Sequence, residues 1–76
     1  MDTLTLGETL SLLRRRKVLT LEELANEAGV TVSTLSRLEN DLQTPRPSTL
    51  RKVAKALGVD PSELVFEERM LGKIAA

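Results

Sequence analysis

An all-α bundle of five helices is the fold class that this 76-residue sequence predicts, and three observations predict it. Apolar residues recur at spacings of three and four and nowhere alternate with period two, so helices are expected and a sheet is not. Capping pairs stand ahead of these stretches, Thr20 with Glu23 and Asp60 with Glu63. Glycine or proline then punctuates several boundaries: Gly29, Pro47, Gly58 and Pro61.

Taken in order, the first helix is expected over 6–17, with Leu6, Leu10 and Leu13 on one face. Thr20 caps the second, which turns Leu24, Ala25 and Ala28 inward and stops at Gly29, where a left-handed residue is least strained as glycine. Thr31 caps the third, over 32–40, with Leu35 and Leu38 as its inner face. Residues 41–46 are the longest loop inside the bundle. Pro47 suits the first position of the fourth helix, 47–57, whose inner stripe is Leu50, Val53, Ala54 and Leu57. The fifth starts at Asp60, Pro61, Ser62 and Glu63. Beyond it, Phe66, Met70 and Ile74 are spaced four apart with Leu71 beside them, one apolar face of a helical extension in need of a partner surface.

A chain of this length holds one domain with a modest core. Cysteine and histidine are both absent, which removes disulfides, thiolate metal sites, Ser-His-Asp and Cys-His catalysis and the commonest zinc ligand. No glycine-rich phosphate loop is present, and the carboxylates fall mostly at caps and helix exteriors, so neither an enzyme nor a cofactor is expected. No apolar run is long enough to span a bilayer, and the acidic start is unlike a signal peptide; a cytoplasmic protein is expected. The net charge is zero. Its distribution is uneven: Arg14, Arg15, Arg16 and Lys17 form one basic run and Arg46, Arg51, Lys52 and Lys55 a second, while Asp60, Glu63, Glu67 and Glu68 gather near the C-terminus. Such a dipolar molecule can turn a basic face to phosphate while neutral overall.

The segment 20–39 carries the functional signal. It reads as a short capped helix, a glycine turn and a second capped helix. On the outer side of the second, Val32, Ser33, Thr34 and Ser36 are short, and Arg37 is the one long side chain. Short side chains let a helix backbone approach a DNA major groove, and arginine can present two donors to guanine there.

In order and spacing, Leu6–Leu10, Leu13-Arg14, Leu19–Ala25, Gly29-Val30-Thr31, Ser36–Glu39 and Ala54–Val59 resemble the Xre/Cro–lambda-repressor family of helix-turn-helix DNA-binding domains. The resemblance implies a five-helix lambda-repressor-like bundle over 1–65; the apolar stripe beyond it makes 66–76 a helical, dimer-forming extension by expectation. It implies a sequence-specific regulator of transcription, a repressor, that binds a symmetric double-stranded DNA operator as a homodimer with helix 32–40 in the major groove. Val32, Ser33, Thr34, Ser36 and Arg37 are then the base-reading candidates, with Val32 limited to apolar contact with a thymine methyl. Thr20, Gln43, Thr44 and Arg46 are the phosphate candidates, together with backbone amides at the starts of the second and fourth helices. Arg14 and Glu39 form a structural ion pair between the first helix and the end of the third. Leu64, Phe66, Met70, Leu71 and Ile74 form the dimer interface. Arg15, Arg16 and Lys17 stay divided between phosphate contact and plain solvation.

Three positions depart from the family pattern. Leu21 stands where similar proteins place a phosphate-binding glutamine. Val18 and Asp41 stand where they place glycine, after the first and third helices. Aspartate tolerates the left-handed conformation; β-branched valine does not, so the first helix is expected to end in a different turn. Zero net charge and Leu21 also fit an alternative: a protein-interaction module, or the antitoxin of a toxin-antitoxin pair, in which DNA binding is secondary. Salt-sensitive binding to duplex DNA distinguishes the two.

Overall fold

The computed structural model describes residues 4–64. Within them the order is α1 (Leu6–Arg16), α2 (Leu21–Ala28), α3 (Val32–Glu39), α4 (Pro47–Leu57) and a 3-10 turn, Pro61–Glu63. The all-α expectation holds. The fifth element starts where Asp60 and Pro61 place it, but through Glu63 it is a 3-10 turn rather than an α-helix. The expected stripe of Phe66, Met70, Leu71 and Ile74 lies outside the described residues.

Each α-helix starts where local chemistry stops the chain from extending. Thr20 and Glu23 form the expected capping box, the Thr20 hydroxyl accepting from the Glu23 amide at 3.0 Å and the Glu23 carboxylate accepting from the Thr20 amide at 2.8 Å. Thr31 caps α3 through the Thr34 amide at 3.1 Å. Asp60 accepts from the Ser62 amide at 2.9 Å, and that bond holds its carboxyl below the usual carboxylate range. Thr5 and Glu8 make a further box at the start of α1, a Thr-x-x-Glu signature that reading the leucine stripe alone passes over.

All four helices end in the same way. The amide that follows the left-handed residue reaches back five residues: Leu19 to the Arg14 carbonyl at 3.1 Å, Val30 to Ala25 at 3.0 Å, Leu42 to Arg37 at 2.8 Å and Val59 to Ala54 at 3.0 Å. This Schellman stop needs one left-handed residue. Glycine supplies it twice, with φ 74° at Gly29 and 75° at Gly58. Val18 and Asp41 supply it the other two times, with φ 56° and 57°. The expectation that valine forces a different turn is therefore wrong. The residue after it decides the matter: Leu19 packs half-buried against the core, and the left-handed turn is what delivers it there. Val18 itself remains 85% exposed and gains no packing in return. Val18→Gly should raise the unfolding free energy by about 1 kcal/mol, because relief of left-handed strain outweighs the extra freedom of glycine in the unfolded chain. Urea unfolding checks this, and a midpoint below that of the parent would contradict it.

The core is Leu10, Leu24, Ala25, Ala28, Leu35, Leu38, Leu50, Val53, Ala54, Leu57 and Leu64. Leu6 and Leu13, expected on the inner face of α1, are only partly buried and flank this cluster. Leu64 needs a correction: it is 1% exposed, its apolar surface already consumed inside the domain, so it is not the margin of a dimer stripe. The helices pack as α1 on α3, α2 on both α3 and α4, and the 3-10 turn on α4. Leu35 and Leu38 thus pin α3 to the bundle by one side and leave its other side open.

Candidate nucleic-acid interface

The open side of α3 is the site the sequence points to. Val32, Ser33 and Arg37 are exposed, Val32 at 41% despite being apolar. Ser33 and Arg37 are one helical turn apart and share a face. Thr34 and Ser36 are half-buried. The Thr34 hydroxyl accepts from the Thr31 hydroxyl at 2.9 Å, and its own proton remains free to donate. Asn40, at the end of the same face, spends its side-chain amide on the Ser36 carbonyl at 2.8 Å. The structure therefore brings Val32, Ser33 and Arg37 together on one accessible surface and holds Thr34 and Ser36 at its edge.

The phosphate candidates are exposed as well: Thr20, Gln43, Thr44 and Arg46. Thr20 accepts the Glu23 amide in its capping box, and its hydroxyl proton can still donate outward. Buried Pro45 anchors the loop between Thr44 and Arg46, so both exposed side chains leave a fixed point. Arg46 is the N-cap residue of α4 but makes no side-chain capping bond, unlike Thr5, Thr20 and Thr31 at the other three α-helices. The first-turn amides of α4 are left without a side-chain acceptor, beside an arginine, at the positive end of a helix dipole. That combination suits an anion. Leu21, in the place of a phosphate-binding glutamine, is half-buried and packs against the core.

Arg14 and Glu39 stand as the resemblance implies. The guanidinium donates to both carboxylate oxygens, at 2.7 and 3.0 Å, and a third bond reaches the Leu19 carbonyl at 2.9 Å. The side chains are 16% and 8% exposed. The hydrogen bond to Glu39 raises the Arg14 pKa above its ordinary value against the opposing effect of burial. The pair ties the end of α1 to the end of α3, so it serves the angle of α3 and not the open face.

Sequence reasoning missed the contacts that two residues make where the end of α3 meets the start of α1. Gly7 is buried, and a Cβ there would overlap the Glu39 carbonyl oxygen and lie 2.7 Å from that of Leu38. Asp41 accepts from the Thr5 hydroxyl at 2.6 Å and from the Gly7 amide at 2.9 Å. These contacts have no local signal, because the partners lie more than thirty residues apart in sequence. Among the described residues no group of three acidic, histidine or cysteine side chains could hold a metal ion, and no helix is long and apolar enough to cross a membrane.

A family model described as "Helix-turn-helix" (HTH_3) matches residues 10–64. The immunity repressor protein of Bacillus phage phi105 is 37% identical over 68 residues, which are 90% of this chain and 47% of that protein. The chain thus spans just under half the length of that relative. The DNA-binding domain of the P22 c2 repressor superposes with a TM-score of 0.80 at 26% identity, covering 86% of each chain. SinR, the master regulator for biofilm formation, solved in complex with DNA, superposes with a TM-score of 0.77 at 37% identity, covering 80% of this chain and 98% of that one.

Proposed function

This chain belongs to the HTH_3 helix-turn-helix family, and from that premise we propose that it is a cytoplasmic, sequence-specific double-stranded DNA-binding regulator of transcription that acts as a repressor. The observation that carries the proposal is the open face of α3. Val32, Ser33 and Arg37 project from a short helix that Leu35 and Leu38 hold against the bundle. That is the geometry of a helix laid in a major groove, with its outer face toward the bases. Arg37 reads a guanine, Val32 meets a thymine methyl, and Ser33 adds a weakly discriminating hydrogen bond. Gln43, Thr44, Arg46 and the first amides of α4 hold one strand, and Thr20 holds the other side of the groove. One domain of this size reads few base pairs. A homodimer with its two α3 helices about 34 Å apart on a symmetric operator supplies the missing specificity. The likeness to the P22 c2 repressor DNA-binding domain and to SinR, solved with DNA, supports this reading.

Selection of bound sequences from random duplexes tests it. A two-fold symmetric consensus is the expected result; recovery of no consensus would leave the interaction-module reading. The roles within the site separate by mutation. Arg37→Ala should cost about 1–3 kcal/mol at the selected sequence and relax preference at one position per half-site. Arg46→Ala should weaken selected and unrelated duplexes equally and reduce the salt slope by about one unit per protomer. Binding isotherms for both variants on both duplexes at several salt concentrations check this. Equal losses on every sequence for Arg37→Ala would make Arg37 a phosphate contact.

A further inference from the structure

We propose that Asp41 is a positioning residue that fixes α3, and the loop leaving it, against the start of α1. The proposal rests on the reading of α3 as the DNA-recognition helix and adds to it the residue that sets the angle of that helix. Asp41 is the left-handed residue that ends α3, with φ 57°. Glycine occupies that conformation with less strain, so the backbone alone does not favour aspartate here. The side chain does. One carboxylate oxygen accepts from the Thr5 hydroxyl at 2.6 Å and the other from the Gly7 amide at 2.9 Å. Gly7 lies in the first turn of α1, where amides have no partner within the helix and a negative charge is favoured. The Thr5 hydroxyl also accepts the Glu8 amide at 3.0 Å, so one chain of bonds joins the cap of α1 to the stop of α3.

A single tie between two helices acts as a pivot; two separated ties fix a direction. Arg14 supplies the other tie, through Glu39. Gly7 and Arg14 are seven residues apart, about 10 Å along α1. Between these anchors the last turn of α3 lies so close to α1 that the Leu38 and Glu39 carbonyls leave no room for a Cβ on Gly7. Asp41 also sets the course of the next segment. The Leu42 amide returns to the Arg37 carbonyl at 2.8 Å, so the direction of the loop bearing Gln43, Thr44 and Arg46 is set at this left-handed residue. The base-reading arginine and the phosphate-holding loop are thus referenced to α1 together, through the Asp41 carboxylate at one end and the Arg14–Glu39 pair at the other.

Asp41→Gly separates positioning from stability, because it relieves the left-handed strain while removing both hydrogen bonds. Its urea midpoint should stay close to that of the parent chain. Its affinity for the selected duplex should fall roughly 5- to 10-fold, and for an unrelated duplex by less than about twofold. Asp41→Asn should recover most of the loss, since asparagine tolerates the same φ and keeps an acceptor for the Gly7 amide. Residual dipolar couplings on the free protein should show α3 turned, or no longer held in one orientation, relative to α1 in Asp41→Gly. Parent-like couplings together with parent-like discrimination would overturn the proposal. So would equal losses on both duplexes with no recovery by asparagine. If the parent chain itself shows no sequence discrimination, the DNA reading fails; the couplings then decide the role of Asp41 alone, and unchanged couplings reject it.

Discussion

Gly7→Ala is expected to lower the unfolding free energy by roughly 3 kcal/mol, the upper end for overpacking. On helix propensity alone the sign would be the opposite, since alanine in a helix is favoured over glycine by about 1 kcal/mol. The contact decides. The added methyl would overlap the Glu39 carbonyl oxygen and sit 2.7 Å from the Leu38 oxygen and 2.8 Å from the Glu39 carbonyl carbon. These are backbone atoms at the end of a packed helix and cannot swing aside as a long side chain could. Accommodation means moving α1 off α3, which loosens the Asp41 bonds and the Arg14–Glu39 pair at the same time. Against a total stability of about 4–11 kcal/mol for a chain of this size, that is a large fraction. Urea unfolding followed by helix circular dichroism measures it. A variant as stable as the parent would show that α1 and α3 are not in such close contact.

Arg14 and Glu39 are expected to couple in stability, with unequal single effects. Removing one partner of a fully buried pair costs about 3–5 kcal/mol, and this pair is a little wetter than that. Arg14→Ala should cost roughly 3 kcal/mol, for it strands a carboxylate only 8% exposed and also removes the bond that holds the Leu19 carbonyl. Glu39→Ala should cost less, about 2 kcal/mol, because the guanidinium keeps Leu19 and reaches water at its edge. The double variant should fall short of the sum by at least about 1 kcal/mol. Lysine at position 14 should not restore the parent stability, because an ammonium cannot meet both carboxylate oxygens in the planar fork seen here. Strict additivity in the double-mutant cycle would mean that the two side chains do not interact.

Both predictions concern contacts that hold α3 against α1 without belonging to its outer face, and the same division separates what was legible in the sequence from what was not. The helix starts at Thr20, Thr31, Pro47 and Asp60, the stops at Gly29 and Gly58, and the inner stripes of α2, α3 and α4 could be read directly. Each depends on groups within four residues of one another, and spacing alone encodes those. The outer face of α3 emerged from the same periodicity, since fixing Leu35 and Leu38 inward leaves Val32, Ser33 and Arg37 outward. Tertiary structure decided the rest. Local preference argues against a left-handed Val18, yet the packing of Leu19 and the bonds of Arg14 to both the Leu19 amide and carbonyl outweigh it. Leu64, read from the sequence as part of a dimer interface, is buried by the domain itself. Asp41 could be read as a left-handed stop, but nothing local marks its carboxylate as an acceptor for Thr5 and Gly7 or marks Gly7 as a close approach: these acquire meaning only when the chain brings the end of α3 onto the start of α1. Propensity and capping energies act over a single turn, whereas burial and interhelix hydrogen bonds exist only after the chain has closed on itself, and where the two conflict the larger tertiary energy prevails.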